Sequence, residues 1–154
     1  MTDDPAIRTL FAGDEDVICR HREAMFLEMG RDPKLVAAMS LPFRSWLEDR
    51  LAQKRYFGFV AEQDGRVVGG VGMMVIDWPP HPLHPMQNSR GYILNLYVDP
   101  DHRGKGLARR LMRAAEVQFA QLGIDFLVLH ASDAGRPVYE SLGWQATTEM
   151  AKSN

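Results

Sequence analysis

The chain has 154 residues, of which 45% are hydrophobic and 25% charged, with a formal net charge of -2. That balance is close to the globular average, which disfavours wholesale disorder or a coiled coil, and residues 1–154 suffice for one domain with a continuous core and no disulfide or metal staple. No apolar run approaches the ~20 residues of a membrane-spanning helix, the acidic start Met1-Thr-Asp-Asp-Pro lacks the parts of a signal peptide, and the near-neutral charge exerts no global pull on nucleic acid, so the expectation is a cytoplasmic protein that binds neither membrane nor nucleic acid.

In chain order, Ala6 to Leu10 reads as a short strand and Asp14 to Met29 as a helix stopped by Gly30. The lone Cys19 lies inside that helix without a partner base nearby and reads as an inert thiol. Pro33 and Pro42 read as turns, followed by a second helix over Phe43 to Gln53, where Phe43, Trp46, Leu47 and Leu51 recur at helical spacing. From Tyr56 the pattern becomes that of strands. Asp64-Gly65 is a hairpin turn between two antiparallel strands, the second reaching Trp78. The four prolines of Trp78 to Pro85 force a loop. Tyr92 to Val98 is then a central strand, and Leu107, Leu111, Ala115, Phe119 and Leu122 mark a helix capped by Gly123. Phe126 to Ala131 is apolar enough for a buried strand in parallel pairing. A short helix beginning near Arg136 and a last strand over Trp144 to Met150 complete the chain.

The chemistry concentrates in Val98-Asp-Pro-Asp-His-Arg-Gly-Lys-Gly-Leu-Ala, where a strand turns through a glycine loop directly into a helix. Free backbone N-H groups and the positive end of the helix dipole converge there, which suits a pyrophosphate. Gly104 and Gly106 let the backbone approach, while Arg103 and Lys105 add charge. The phosphate loop of nucleoside-triphosphate enzymes and the dinucleotide fingerprint are both absent. The bland alternative is a tight turn with solvated charges.

At this loop the sequence resembles the GNAT family of N-acetyltransferases, whose coenzyme motif is matched by Arg103, Gly106 and Ala108. Leu96-Tyr-Val-Asp-Pro before it and Val138-Tyr-Glu-Ser-Leu-Gly-Trp after it resemble further family signatures, and the resemblance covers Tyr56 to about Met150. It implies an α/β fold in which helices flank a central mixed, mostly antiparallel sheet of six to seven strands, with the fourth and fifth strands splayed. It also implies acetyl-coenzyme A as cosubstrate, its pantetheine arm added along Leu96, Tyr97 and Val98 and its pyrophosphate held by Arg103, Gly104, Lys105, Gly106, Leu107 and Ala108. Ser132 stands where many relatives carry an asparagine that bonds the pantetheine.

By the same resemblance, the Leu96 N-H donates to the thioester carbonyl as charge develops there, and Tyr139 protonates the departing thiolate. No base appears in Tyr92-Ile-Leu-Asn, where several relatives place a Glu or His. Glu23, Glu28, His81 and His84 read as solvated surface groups, His130 as a satisfied core histidine, and Asn95 as a group that orients water. A water chain is the expected route for the proton. The histidines show no metal-ligand spacing, so no metal is expected.

The implied reaction is acetyl transfer to a primary amine by direct attack in a ternary complex. The apolar Trp78, the proline loop and Met25-Phe26 favour a small-molecule acceptor, although an exposed Trp78 suits the face of a second subunit in a homodimer equally well. The competing readings are a protein N-terminal or lysine acetyltransferase and a catalytically silent coenzyme-A sensor.

Overall fold

A computed structural model describes residues 4–154; Met1 to Asp3 of the acidic start lie outside the described residues. The elements in order are β1 (Ala6–Thr9), α1 (Glu15–Glu28), α2 (Pro33–Ala52), β2 (Phe57–Gln63), β3 (Arg66–Asp77), β4 (Ser89–Val98), a 3-10 turn (Pro100–His102), α3 (Leu107–Gln121), β5 (Leu127–Leu129) and α4 (Arg136–Ser141). They form one sheet in the order β1-β2-β3-β4-β5, antiparallel except for the β4-β5 pair, which is parallel. Among the described residues the sheet has five strands rather than six or seven.

The missing strand is the one expected over Trp144 to Met150, which has no sheet partner among the described residues. Trp144 packs against the core on the α3 side, its indole N-H donating to Glu116 at 2.9 Å, and Met150 is exposed. The segment is anchored by side chains and not by a backbone ladder. A second correction concerns α2, which runs through both prolines that read as turns. Pro33 occupies its first turn beneath the Asp32 cap, whose carboxylate accepts the Lys34 N-H at 2.9 Å. Pro42 removes one internal bond, yet Val36, Phe43, Leu47 and Leu51 are buried on both sides of it, and that burial outweighs the loss.

Two apolar clusters sandwich the sheet. One joins α3 to the face bearing Val71, Met73, Ile93 and Val98. The other joins α1 and α2 to the opposite face through Ile18, Phe43, Leu47 and Tyr56. Gly72 is required where Tyr56 crosses β3, since a Cβ there would stand 2.1 Å from the Tyr56 hydroxyl. That close approach lets the buried phenol reach β4.

Candidate active site

The centre of the molecule is a bulge in β4. Gly72 pairs with Leu94 and Gly70 with Tyr97, so Val71 alone faces both Asn95 and Leu96. Asn95 takes a positive φ of 55° to permit this. Consequently Leu94 and Asn95, adjacent in sequence, both turn toward the α1/α2 face, while Leu96 returns to the α3 face. The bulge also changes which backbone groups point sideways. Gly91 donates to the Phe126 carbonyl on the β5 side, whereas Asp99 donates to Val68 on the β3 side. Alternation along a strand then aims the N-H groups of Leu96 and Val98 toward β5.

No part of β5 lies opposite them. The parallel pairing ends at Ile93 with Leu129, and β4 continues to Val98. This is the splay that the sequence resemblance implied, and it leaves a slot between the strands beside Leu96, Tyr97 and Val98.

The slot opens at the C-terminal end of the parallel pair, where the glycine loop and the start of α4 also lie. Gly104 and Gly106 have φ values of 76° and 81°, a region that side chains other than glycine's rarely adopt, and both face open space. Gly106 is the N-cap of α3, and the first intrahelical bond closes only at Arg110. The N-H groups of Leu107 and Ala108 thus precede the hydrogen-bonded ladder. Buried Leu107 anchors this end of the helix, and Lys105 is exposed.

Arg103 does not point freely at the loop. Its Nε donates to the Val98 carbonyl at 2.8 Å, and Nη2 reaches both carboxylate oxygens of Glu28 at 3.0 and 2.9 Å. The Tyr97 hydroxyl donates to the same carboxylate at 3.2 Å. Glu28, read as a solvated group, therefore ties the end of α1 to β4 and the loop.

Tyr139, in α4, packs against the α3-side core and the Trp144 ring. Burial pushes its phenol above the ordinary value, with no hydrogen bond from the described residues contributing to the shift. The Ser132 hydroxyl accepts the Gly135 N-H at 3.1 Å, and the Ser132 carbonyl accepts that of Arg136; serine here fixes the entry into α4.

On the opposite face of β4 the base candidates have other partners. Glu23 accepts from Ser40. Asn95 is buried, its oxygen accepting from Arg22 at 2.8 Å and its amide donating to Tyr56 at 2.9 Å, so it pins the bulge rather than orienting water. Burial pushes the Tyr56 phenol up to about 12. His130 is exposed and not in the core, contacting the Tyr92 hydroxyl and Glu149. Trp78 and the proline loop attach at the far end of β4, about 20 Å along the strand from Leu96, where Gln87 bonds to Gly123 and Asp125. Phe26 is nearer the bulge, packed on Arg22. Arg22 itself was missed by the sequence reading. Its spacing of four from both Ile18 and Phe26 puts a cation on the apolar stripe of α1, which is the signal available.

Among the described residues, no group of three or more His, Cys, Asp or Glu is arranged to hold a metal, and no helix is long and apolar enough to cross a membrane.

Comparison with known proteins agrees with this geometry. Residues 19–144 match the model of the Acetyltransferase (GNAT) family. The structure is similar to a GCN5-related N-acetyltransferase from Ralstonia eutropha JMP134, 55% identical with a TM-score of 0.95 over 97% of each chain. It is also similar to a predicted acetyltransferase from Clostridium acetobutylicum solved with acetyl-CoA, 25% identical with a TM-score of 0.88 over 97% of this chain and 95% of that one. In sequence it is 36% identical to N-acetyltransferase 8B of Homo sapiens over 93 residues, which are 58% of this chain and 38% of that protein. The chain thus spans well under half the length of that relative.

Proposed function

The chain belongs to the acetyltransferase (GNAT) family, and we propose that it moves an acetyl group from acetyl-coenzyme A to the primary amine of a small molecule, by direct attack in a ternary complex. The observation that carries this reading is the β4 bulge next to the end of β5, which turns the Leu96 and Val98 N-H groups into an unpaired slot beside a glycine loop at a helix N-terminus. The pantetheine arm would add to β4 as a strand, with the pyrophosphate against the N-H groups of Gly104 to Ala108. The Leu96 N-H would then meet the thioester oxygen.

Tyr139 lies on the α3 side of the sheet and serves as the acid for the thiolate, its raised phenol staying protonated through neutral pH. The acceptor enters from the α1/α2 side. Since Glu23, Glu28 and Asn95 are engaged with other side chains, the ammonium loses its proton through water.

A panel of primary amines, assayed for free-thiol release from acetyl-coenzyme A with the acetylated product identified by mass, tests the proposal. Stoichiometric transfer to a small amine is the expected result. Coenzyme A binding with no transfer to any amine would overturn the enzymatic reading in favour of a sensor, and transfer only to peptides would move the acceptor class to proteins.

A further inference from the structure

The guanidinium of Arg22 has no role in acetyl transfer as described, yet it sits beside the reacting centre. Its Nη1 donates to Asn95, the residue directly before Leu96. Phe26 and Phe43 flank it with ring centroids 4.8 and 4.7 Å from its central carbon. Its Nε is buried without a partner, and its Nη2 makes no hydrogen bond to any described residue. These two nitrogens share one edge of the guanidinium, the edge that grips a carboxylate side-on.

Among the described residues, no acid occupies that edge. The neighbouring carboxylates of α1 are engaged elsewhere, Glu23 with Ser40 and Glu28 with Arg103 and Tyr97. Burial lowers its pKa from the usual value, and the titratable groups that bear on it are the phenols of Tyr56 and Tyr92, whose own pKa values are raised, so that neither supplies a negative charge at neutral pH. A half-buried cation with an orphan donor is costly to maintain, and an anionic ligand would relieve both deficits.

We propose that Arg22 determines acceptor specificity by taking a carboxylate, so that the preferred acceptors are amines carrying a carboxyl group a few bonds from the nitrogen, as amino acids do, and not polycationic amines. This rests on the acetyl-transfer reading above. Asn95 and Arg22 lie on the face of β4 from which the acceptor enters, so an amine at the Leu96 slot brings a nearby carboxylate to the unpartnered guanidinium edge. A polyamine would meet an unscreened positive charge there.

The test uses the full chain and pairs of amino acids and their carboxamides, with rates referred to the free-base amine. The acid is expected to exceed its carboxamide in kcat/KM by about tenfold or more, the scale of one charge-assisted hydrogen bond. Arg22→Met should collapse that ratio toward one, and Arg22→Lys should keep part of it. Equal rates for acid and carboxamide in the wild type, or an unchanged ratio in a folded Arg22→Met, would overturn the proposal. In parallel, N-acetyl amino acids and their carboxamides are titrated by calorimetry into protein saturated with coenzyme A. Arg22-dependent binding of the acids without turnover of any amine would keep the carboxylate site and sink the transferase reading. No preference for the acids in this titration would sink the site whatever the activity.

Discussion

The two faces of β4 are built from different materials. Toward α3 and β5, the proposed coenzyme site consists largely of main chain: the N-H groups of Leu96 and Val98 and the open turn at Gly104 and Gly106. Toward α1 and α2, the proposed acceptor site consists of side chains drawn from distant parts of the sequence, with Arg22 and Phe26 from α1, Phe43 from α2 and Asn95 from the bulge. A main-chain site binds whatever pairs with a backbone and so suits a constant cosubstrate. A side-chain site can be altered one residue at a time and suits a variable acceptor. Arg103 and Glu28 join the two.

The comparison is most sharply broken at the glycine loop. Gly106→Val forces a branched side chain into a left-handed backbone conformation and fills the space proposed for phosphate. Losing two charge-assisted hydrogen bonds at roughly 1.5 kcal/mol each weakens coenzyme A binding by about 100-fold or more. Gly123→Val, at a similar φ of 74° in open space beyond the other end of α3, imposes comparable strain away from the site and should leave affinity in calorimetry unaltered. Equal losses in both variants would mean that strain, and not phosphate contact, explains the effect.

Tyr139→Phe should leave coenzyme A affinity nearly intact while turnover drops ~10²-fold where chemistry limits the rate. Burial holds the phenol above its ordinary pKa, so the wild-type rate should fall only as the pH rises beyond the usual tyrosine range, and the variant should lack that limb. Full turnover in the Phe variant across the pH range would make Tyr139 a packing residue.

On the acceptor side, His21 is buried against Tyr97, with ring centroids 4.9 Å apart, and burial lowers its pKa from 6.5 to about 4. The imidazole is neutral in both folded and unfolded chains above pH 6.5. As the pH falls from there toward 4, the unfolded chain takes up the proton first, so the folded state loses stability, by about 2 kcal/mol at pH 5. In urea melts at pH 7 and pH 5, His21→Gln should remove about that much of the pH dependence. An unchanged dependence would show that other groups drive the acid sensitivity.

The same division explains what the sequence disclosed. The glycine loop, α3 and the Asp64-Gly65 hairpin were legible because local pattern and motif determine them, whereas the β4-β5 splay came only through the resemblance to the family. The bulge was not legible, since it depends on Val71 facing two residues at once across the sheet. Arg22 and its link to Asn95 join positions 73 residues apart, a contact that no local pattern encodes. The end of the chain misled for the opposite reason: Trp144 to Met150 has alternation suited to a strand, but Trp144 finds its partner in Glu116 on α3. Pro42 shows tertiary burial overriding a local breaker.

The smallest expected effect lies at the link between the faces. Arg103 is bound to Glu28 and to the Val98 carbonyl, whereas the loop motif assigns it to the pyrophosphate. If phosphate recruits Arg103, the guanidinium must first leave Glu28, and coenzyme binding competes with that ion pair. Both side chains are 44% exposed, so solvent screens the pair and it contributes about 1 kcal/mol at most. Glu28→Gln should therefore tighten coenzyme A binding, by no more than about fivefold, and the gain should shrink as salt is raised. Arg103→Gln should weaken binding in the wild-type background and make the Glu28 substitution silent, because the competition needs both partners. Unchanged or weaker affinity in Glu28→Gln would show that Arg103 acts by holding α1 and β4 in register and does not contact phosphate, leaving the coenzyme side of β4 to its main-chain donors and Lys105.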